Sequence, residues 1–72
     1  MIAERLKLLR KKRNITQRIV ARGADIGERQ YQFYESGERK PSYEALLSIA
    51  NYLDVSVDYL MGRTDKQEVN RN

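Results

Sequence analysis

The part of this chain that most constrains its fold is the stretch from residue 16 to residue 35. It contains two short segments of helical periodicity, separated by a turn that runs from Gly23 to Gly27. Thr16 can cap the first of these helices, because its hydroxyl can accept a hydrogen bond from a backbone N–H two or three residues later. A chain of 72 residues has room for one small domain, so the remaining helices are expected to support this pair.

Composition excludes whole classes of functional site. The chain has no Cys and no His, which excludes disulfides, zinc sites built from these residues and histidine-based catalytic triads. There is no recognisable nucleophile, base or metal-ligating set, so we expect no enzyme activity, metal, cofactor or small-molecule substrate. No apolar run reaches the ~20 residues of a membrane span, and the charged start lacks the apolar segment of a signal peptide. A cytoplasmic protein without a membrane contact is expected.

Positive charge is concentrated in the first part of the chain. Residues 1–40 hold 11 Lys and Arg against 5 Asp and Glu, whereas residues 41–72 hold 3 against 5, which gives net charges of +6 and −2. A basic half favours a polyanionic partner such as double-stranded DNA. The alternative, that the charge serves only solubility, stays open on composition alone.

Apolar spacing predicts an all-α fold. Five helices are expected: residues 2–12, a second helix that starts after Thr16, about residues 27–36, residues 42–52, and a short helix between Ser56 and Gly62. Residues 1–62 therefore make one domain. Residues 63–72 lack an apolar period and are expected to form a polar, disordered tail.

The third helix divides into two faces. Tyr31 and Tyr34 lie three residues apart and can both face the core. The opposite face then carries side chains that can read bases in a major groove, namely Glu28, Arg29, Gln32 and Phe33. An Arg can bond guanine O6 and N7, a Gln adenine N6 and N7, and a Glu cytosine N4, while an aromatic ring can pack on a thymine methyl. An ordinary solvated helix face is the alternative.

Further polar side chains flank these helices and are candidates for contacts with DNA phosphates. Gln17 begins the second helix, where the helix dipole favours an anion. The full predicted set is Lys11, Gln17, Arg18, Gln30, Arg39 and Lys40. For the cations of this set, solvation and helix-end electrostatics are the alternatives.

In combination, these motifs resemble the phage repressor/Cro type of helix-turn-helix family, which is also called XRE-like. The resemblance spans residues 4–62 and rests on Ile15-Thr16-Gln17, Ala21, Ile26 and the segments 34–37, 39–42 and 55–62. It implies a five-helix repressor-like domain in which helices 2 and 3 form the helix-turn-helix that binds operator DNA.

The resemblance also carries expectations for particular residues. It implies that Gln17 contacts the DNA backbone and that the outer face of helix 3 occupies the base-reading positions. It implies a structural salt bridge between Arg10 and Glu35. The sequence departs from the family at the turn, where Asp25 stands in place of the usual Gly and Gly27 in place of the usual Ser or Thr. Asp25 is expected to adopt a left-handed or similarly strained backbone conformation.

The short fifth helix offers a surface for self-association. Val57, Tyr59 and Met61 include more apolar area than one short helix is expected to bury. A two-fold dimer would place two recognition helices ~34 Å apart, which is one turn of DNA. The alternative is that these residues complete the core of one chain.

These expectations combine into a sequence-specific transcriptional regulator, a repressor, that reads the major groove with helix 3. It would act as a homodimer on a two-fold operator and lie in the cytoplasm, at the nucleoid through its DNA. The alternative is a protein-interaction module, such as the antitoxin of a toxin pair or an adaptor, in which DNA binding is secondary. Both a small complete regulator and a domain of a longer protein are compatible with the sequence.

Overall fold

The computed structural model describes residues 1–69, which form α-helices and no strand. The five helices are α1 (Ile2–Lys12), α2 (Gln17–Gly23), α3 (Glu28–Ser36), α4 (Tyr43–Leu53) and α5 (Val57–Leu60). α1 packs against α3 and α5, α2 packs against α3 and α4, and α4 packs against α5. The predicted all-α fold with five helices is confirmed within these residues. The end of the expected disordered tail, residues 70–72, lies outside the described residues.

Side-chain caps set the starts of three helices. In each case a hydroxyl oxygen accepts a hydrogen bond from the backbone N–H three residues later: Thr16 (3.1 Å), Ser42 (3.1 Å) and Ser56 (2.9 Å). Each bond satisfies a donor that the first helical turn leaves without an intrahelical acceptor. Gly27 precedes α3 and has no side chain to do the same, so the start of α3 depends on packing instead.

Within residues 1–69, three residues other than glycine adopt the left-handed backbone conformation, and each follows a helix. They are Asn14, Asp25 and Asp54, with φ of 56°, 57° and 56°. Such a conformation costs most residues roughly 1–2 kcal/mol, and Asn and Asp are the side chains that tolerate it best. The conformation expected for Asp25 at the turn of the helix-turn-helix is therefore present.

The core takes side chains from every helix. The largest fully buried residues are Leu6 and Leu9 from α1, Val20 from α2, Tyr31 from α3, Ile49 and Leu53 from α4, and Leu60 from α5. Full burial of such a side chain stabilises a fold by roughly 1.5–3 kcal/mol. Because α3 contributes its share through one face only, the core fixes which face of α3 remains outside.

Gly23 has a packing role that its helix propensity does not reveal. On propensity alone, a glycine in a helix costs about 1 kcal/mol relative to alanine. In the structure, the ring of Tyr52 in α4 lies against Gly23, and a β-carbon at position 23 would overlap that ring. The glycine therefore permits a close approach between α2 and α4.

Part of the segment after α5, where the sequence predicts a disordered tail, makes hydrogen bonds to the helical domain. Arg5 Nη1 donates a hydrogen bond to Thr64 O at 2.8 Å, and Ser56 N donates to Gln67 O at 2.9 Å. The first contact joins residues 59 positions apart, and the second is a backbone hydrogen bond to a polar segment without an apolar period. The polar composition of residues 63–69 gives no signal for either contact.

Candidate nucleic-acid interface

α3 presents two different faces. Tyr31 and Tyr34, which form its inner face, are 0% and 5% exposed. The outer face carries Glu28, Arg29 and Gln32, which are exposed, and Phe33, which is half-buried. The two-faced helix that the spacing predicted is present. Its outer face leaves one amide, one guanidinium and one carboxylate accessible to a partner.

An ion pair joins α3 to α1. Arg10 Nη2 lies 2.7 Å from Glu35 Oε1, and Arg10 Nε lies 3.0 Å from Glu35 Oε2. The two side chains are only 16% and 2% exposed. Arg10 Nη1 also donates to Ile15 O at 3.1 Å. One guanidinium thus connects α1, the corner before α2 and the last turns of α3, as the resemblance implied for this pair.

Burial and hydrogen bonding act in opposite directions on the pKa of Glu35. Burial favours the neutral acid, but the hydrogen bonds and charge of Arg10 outweigh it, so the pKa of Glu35 is lowered. Gln17, at the start of α2, lies close enough to act in the same direction. The structure therefore brings this predicted phosphate contact next to the ion pair.

Tyr31 is buried beside the same pair. Burial, followed by the neighbouring Glu35 carboxylate, raises the pKa of Tyr31. Glu35 acts as a nearby charge rather than through a well-formed hydrogen bond, since within residues 1–69 Tyr31 Oη has no hydrogen-bond partner. The phenol therefore stays protonated and contributes mainly as core packing.

The side chains predicted to contact phosphates are all accessible, but two of them already have partners. Lys11, Arg18, Gln30, Arg39 and Lys40 are exposed, and Gln17 is half-buried. Gln30 Nε2 donates to Tyr34 Oη at 2.6 Å, which holds its amide along α3. Arg39 lies over an aromatic ring. Lys11 is near the end of α1, in the basic last turn of that helix.

Two arginines lie over the ring of Phe33. The Cζ atoms of Arg39 and Arg29 are 4.8 Å and 5.7 Å from the ring centroid. Arg29 reaches the ring from one turn earlier in α3, a spacing at which helical side chains meet. Arg39 reaches it because the chain turns at Gly37, with φ of 85°, and Arg39 N donates to Phe33 O at 3.3 Å. Sequence spacing could have revealed the contact between Arg29 and Phe33, but not the contact between Arg39 and Phe33.

The predicted dimer surface is smaller than the sequence indicated. Tyr59 is 6% exposed, and Arg5 covers its ring with Cζ 4.3 Å from the centroid. Tyr59 therefore offers little accessible apolar surface in this chain, because Arg5 and the core already use it, and its place at a dimer interface stays a prediction. Val57 is half-buried against the core, and Met61 is 43% exposed. Arg5 itself gave no recognisable signal in the sequence.

The described part of the chain lacks two other kinds of feature. Residues 1–69 contain no group of three or more acidic side chains placed to hold a metal ion. None of the helices within these residues is long and apolar enough to cross a membrane.

Comparisons with known proteins agree on one family. The family profile described as Helix-turn-helix matches residues 6–60. The chain is 41% identical over 69 residues to the HTH-type transcriptional regulator YqaE of Bacillus subtilis, covering 96% of this chain and 60% of that protein. It is 44% identical over 69 residues to the cryptic phage CTXphi transcriptional repressor RstR of Vibrio cholerae, covering 93% and 62%. The chain thus spans about three fifths of the length of these relatives.

A solved structure supports the same assignment. A crystal structure of a transcriptional regulator from Listeria innocua superposes with a TM-score of 0.79 at 33% identity, covering 100% of this chain and 65% of that one. These relatives are transcriptional regulators and not enzymes, in agreement with the prediction from composition. The chain belongs to the helix-turn-helix family.

Proposed function

We propose that this chain is the DNA-binding part of a repressor, which places α3 in the major groove of an operator. The observation that carries this proposal is the division of α3: Tyr31, Tyr34 and Glu35 hold it to the rest of the domain, while the outer face stays accessible. Glu28, Arg29 and Gln32 then meet base edges, with Phe33 beside them. A cytoplasmic location at the nucleoid follows from this role.

The cations around α3 support the same orientation. Arg39 and Lys40 are exposed in the loop after α3, and Arg18 is exposed in the first turn of α2. Phosphate contacts from such groups position a recognition helix, whereas contacts with base edges specify sequence. Gln17 adds a donor at the start of α2. The name of the relative RstR, a phage transcriptional repressor, supports repression over activation.

Selection from a pool of random duplexes, followed by sequencing of the bound fraction, tests this proposal. We expect an enriched motif with two-fold symmetry and half-sites about one helical turn apart. Arg29→Ala should relax the preference at one base position, at a cost of roughly 1–3 kcal/mol on the selected site. Lys40→Ala should weaken binding to all sequences and lower the slope of log affinity against log salt by about one.

A matched control is Arg63→Ala, which also removes one exposed arginine but lies after α5, outside the proposed interface. It should leave both the motif and the salt slope close to those of the parent. If Arg29→Ala selected the same motif as sharply as the parent, the assignment of α3 as the recognition helix would be wrong.

We further propose that the chain binds its operator as a homodimer, in which Met61 and Val57 lie at the interface. The support is the exposure of Met61 at the end of α5. The competing function, a protein-interaction module, predicts no enriched motif and binding to a protein that changes little with salt. Steep salt dependence together with a symmetric motif would exclude that alternative.

A further inference from the structure

We infer that Phe33 is a positioning residue, which holds the guanidinium groups of Arg39 and Arg29 towards a DNA duplex, rather than a residue that reads a base by its own contact. This inference rests on the proposed DNA-binding function and assigns a different part in it to Phe33. The two interpretations of Phe33 predict different behaviour of the same variants.

Two arginine side chains lie close to the ring of Phe33. Both guanidinium carbons lie within 6 Å of its centroid, at 4.8 Å for Arg39 and 5.7 Å for Arg29. The face of an aromatic ring attracts cations at such distances, and arginine stacks well because its planar group is weakly hydrated. A ring that holds two cations offers less of its surface to a thymine methyl. The half-burial of Phe33 agrees with this.

Hydrogen bonds in the loop after α3 place Arg39 beside the ring of Phe33. Ser36 Oγ donates to Phe33 O at 3.1 Å, and Glu38 N donates to Ser36 Oγ at 3.3 Å. Arg39 N then donates to the same Phe33 O at 3.3 Å. Together with the left-handed Gly37, these bonds return the chain to the ring. The position of Arg39 is therefore set by the loop as well as by its own side chain.

The positive charges of Arg29 and Arg39 at one ring favour a negatively charged partner. Two guanidinium groups at one ring repel each other, and the negative charge of a DNA duplex near both would relieve that repulsion. Holding them in place before DNA arrives also reduces the conformational entropy that two long side chains lose on binding. Lys40 follows Arg39 directly, but the cations found over rings in residues 1–69 do not include it. It supplies a neighbouring charge that does not depend on Phe33.

A double-mutant cycle tests whether Phe33 acts through Arg39. Affinity for a random-sequence duplex would be measured by fluorescence anisotropy over a range of salt for Phe33→Leu, Arg39→Ala and the double variant. We expect Phe33→Leu to weaken DNA binding relative to the parent. This penalty, the fold loss in affinity, should be about two- to fivefold smaller when Arg39 is already Ala. In a Lys40→Ala background the penalty should keep its full size. Equal penalties in all three backgrounds would overturn the inference.

The methyl group of thymine separates the two interpretations directly. The same variants would be measured on a duplex in which deoxyuridine replaces every thymidine, so that only the methyl groups are removed. If Phe33 positions arginines, the Phe33→Leu penalty persists on this duplex and Phe33→Tyr binds like the parent. A penalty that vanishes with the methyl groups would establish base contact by the ring and reject the positioning role.

A measurement without DNA separates this inference from the proposed function. In the parent and in Phe33→Tyr, NMR should show the Arg39 side-chain protons shielded by the ring, and Phe33→Leu should remove that shielding. Far-ultraviolet circular dichroism of each variant checks that it is folded. If the parent bound no duplex although Arg39 was shielded, the DNA role of Phe33 would fail together with the proposed function. If it bound DNA without shielding or coupling, the inference alone would fail.

Discussion

Replacing Arg10 by Met should destabilise the domain strongly at neutral pH, because it leaves the Glu35 carboxylate buried without its partner. The Glu35 side chain is 2% exposed, and Arg10 is its bidentate hydrogen-bond donor. Removing one partner of a buried pair typically costs about 3–5 kcal/mol. A chain of 72 residues has a total stability of roughly 4–11 kcal/mol at the usual values per residue. The variant is therefore expected to be marginally folded.

The protonation of Glu35 limits this cost and gives it a pH dependence. An isolated buried carboxylate can become neutral, and at pH 7 protonating a group with the ordinary value of 4.5 costs about 3.4 kcal/mol. At pH 5 the same step costs only about 0.7 kcal/mol. We therefore expect Arg10→Met to cost about 3 kcal/mol at pH 7 and considerably less at pH 5.

The parent should show the opposite trend at lower pH. Its folded Glu35 has a lowered pKa, so the unfolded chain binds the proton first as the pH falls. The stability contributed by the pair is therefore fully present above the ordinary pKa of about 4.5 and is lost as the pH falls through the lower pKa of the folded state. The double variant Arg10→Met/Glu35→Leu lacks this dependence and should recover much of the stability, since apolar replacements of buried pairs are often neutral.

Urea unfolding followed by far-ultraviolet circular dichroism measures these differences. With a slope of about 1 kcal/mol per molar urea, the midpoint of Arg10→Met should fall by roughly 3 M at pH 7. The matched control is Asp65→Asn, which removes the ion pair between Arg5 and Asp65. The Asp65 side chain is 99% exposed, so this variant should leave the urea midpoint unchanged. A loss below ~1 kcal/mol for Arg10→Met, or a loss that does not vary between pH 7 and pH 5, would refute this reasoning.

Three further predictions concern other parts of the fold. Asp25→Gly should raise the free energy of unfolding by about 1 kcal/mol, because glycine adopts the left-handed conformation at φ 57° without strain; a loss in urea midpoint would contradict this. Arg5→Met should destabilise the domain by roughly 2 kcal/mol, since Arg5 donates to Tyr59 O and Thr64 O. Limited proteolysis should then cut near residue 64 sooner than in the parent, and equal cleavage rates would count against the contact. Met61→Asp should leave the urea midpoint nearly unchanged but prevent dimers on DNA in sedimentation, and an unchanged dimer would remove Met61 from the interface.

Signals that lie close together in the sequence predicted the helices and the faces of α3 well. Thr16, Ser42 and Ser56 each act on a backbone group three residues away, so their capping role is visible in a short window. Tyr31 and Tyr34 share a face because of helical geometry alone. The outer face of α3, which we propose reads bases, follows by elimination, and its chemistry follows from the residue types.

Contacts between distant residues explain what the sequence did not reveal. The burial of Tyr59 depends on Arg5, which lies 54 positions away. The hydrogen bonds of residues 64–67 with the helical domain depend on the same arginine and on Ser56. The position of Arg39 over Phe33 depends on a left-handed glycine and three hydrogen bonds. None of these produces a periodic pattern, because each contact joins single positions, through a side chain or a backbone group, rather than residues at a repeated spacing.

The overlap between position 23 and the Tyr52 ring has a consequence for how this domain can vary in evolution. A side chain at position 23 can be accommodated only if the ring at position 52 moves away or is replaced by a smaller group. Replacing Gly23 alone is therefore unfavourable. Replacing Gly23 by a larger residue and Tyr52 by a smaller one would still fill the space between α2 and α4. Homologous chains are expected to show either glycine with an aromatic ring or a larger residue with a smaller one. Substitutions at these two positions should therefore be correlated, although 29 positions separate them in the sequence.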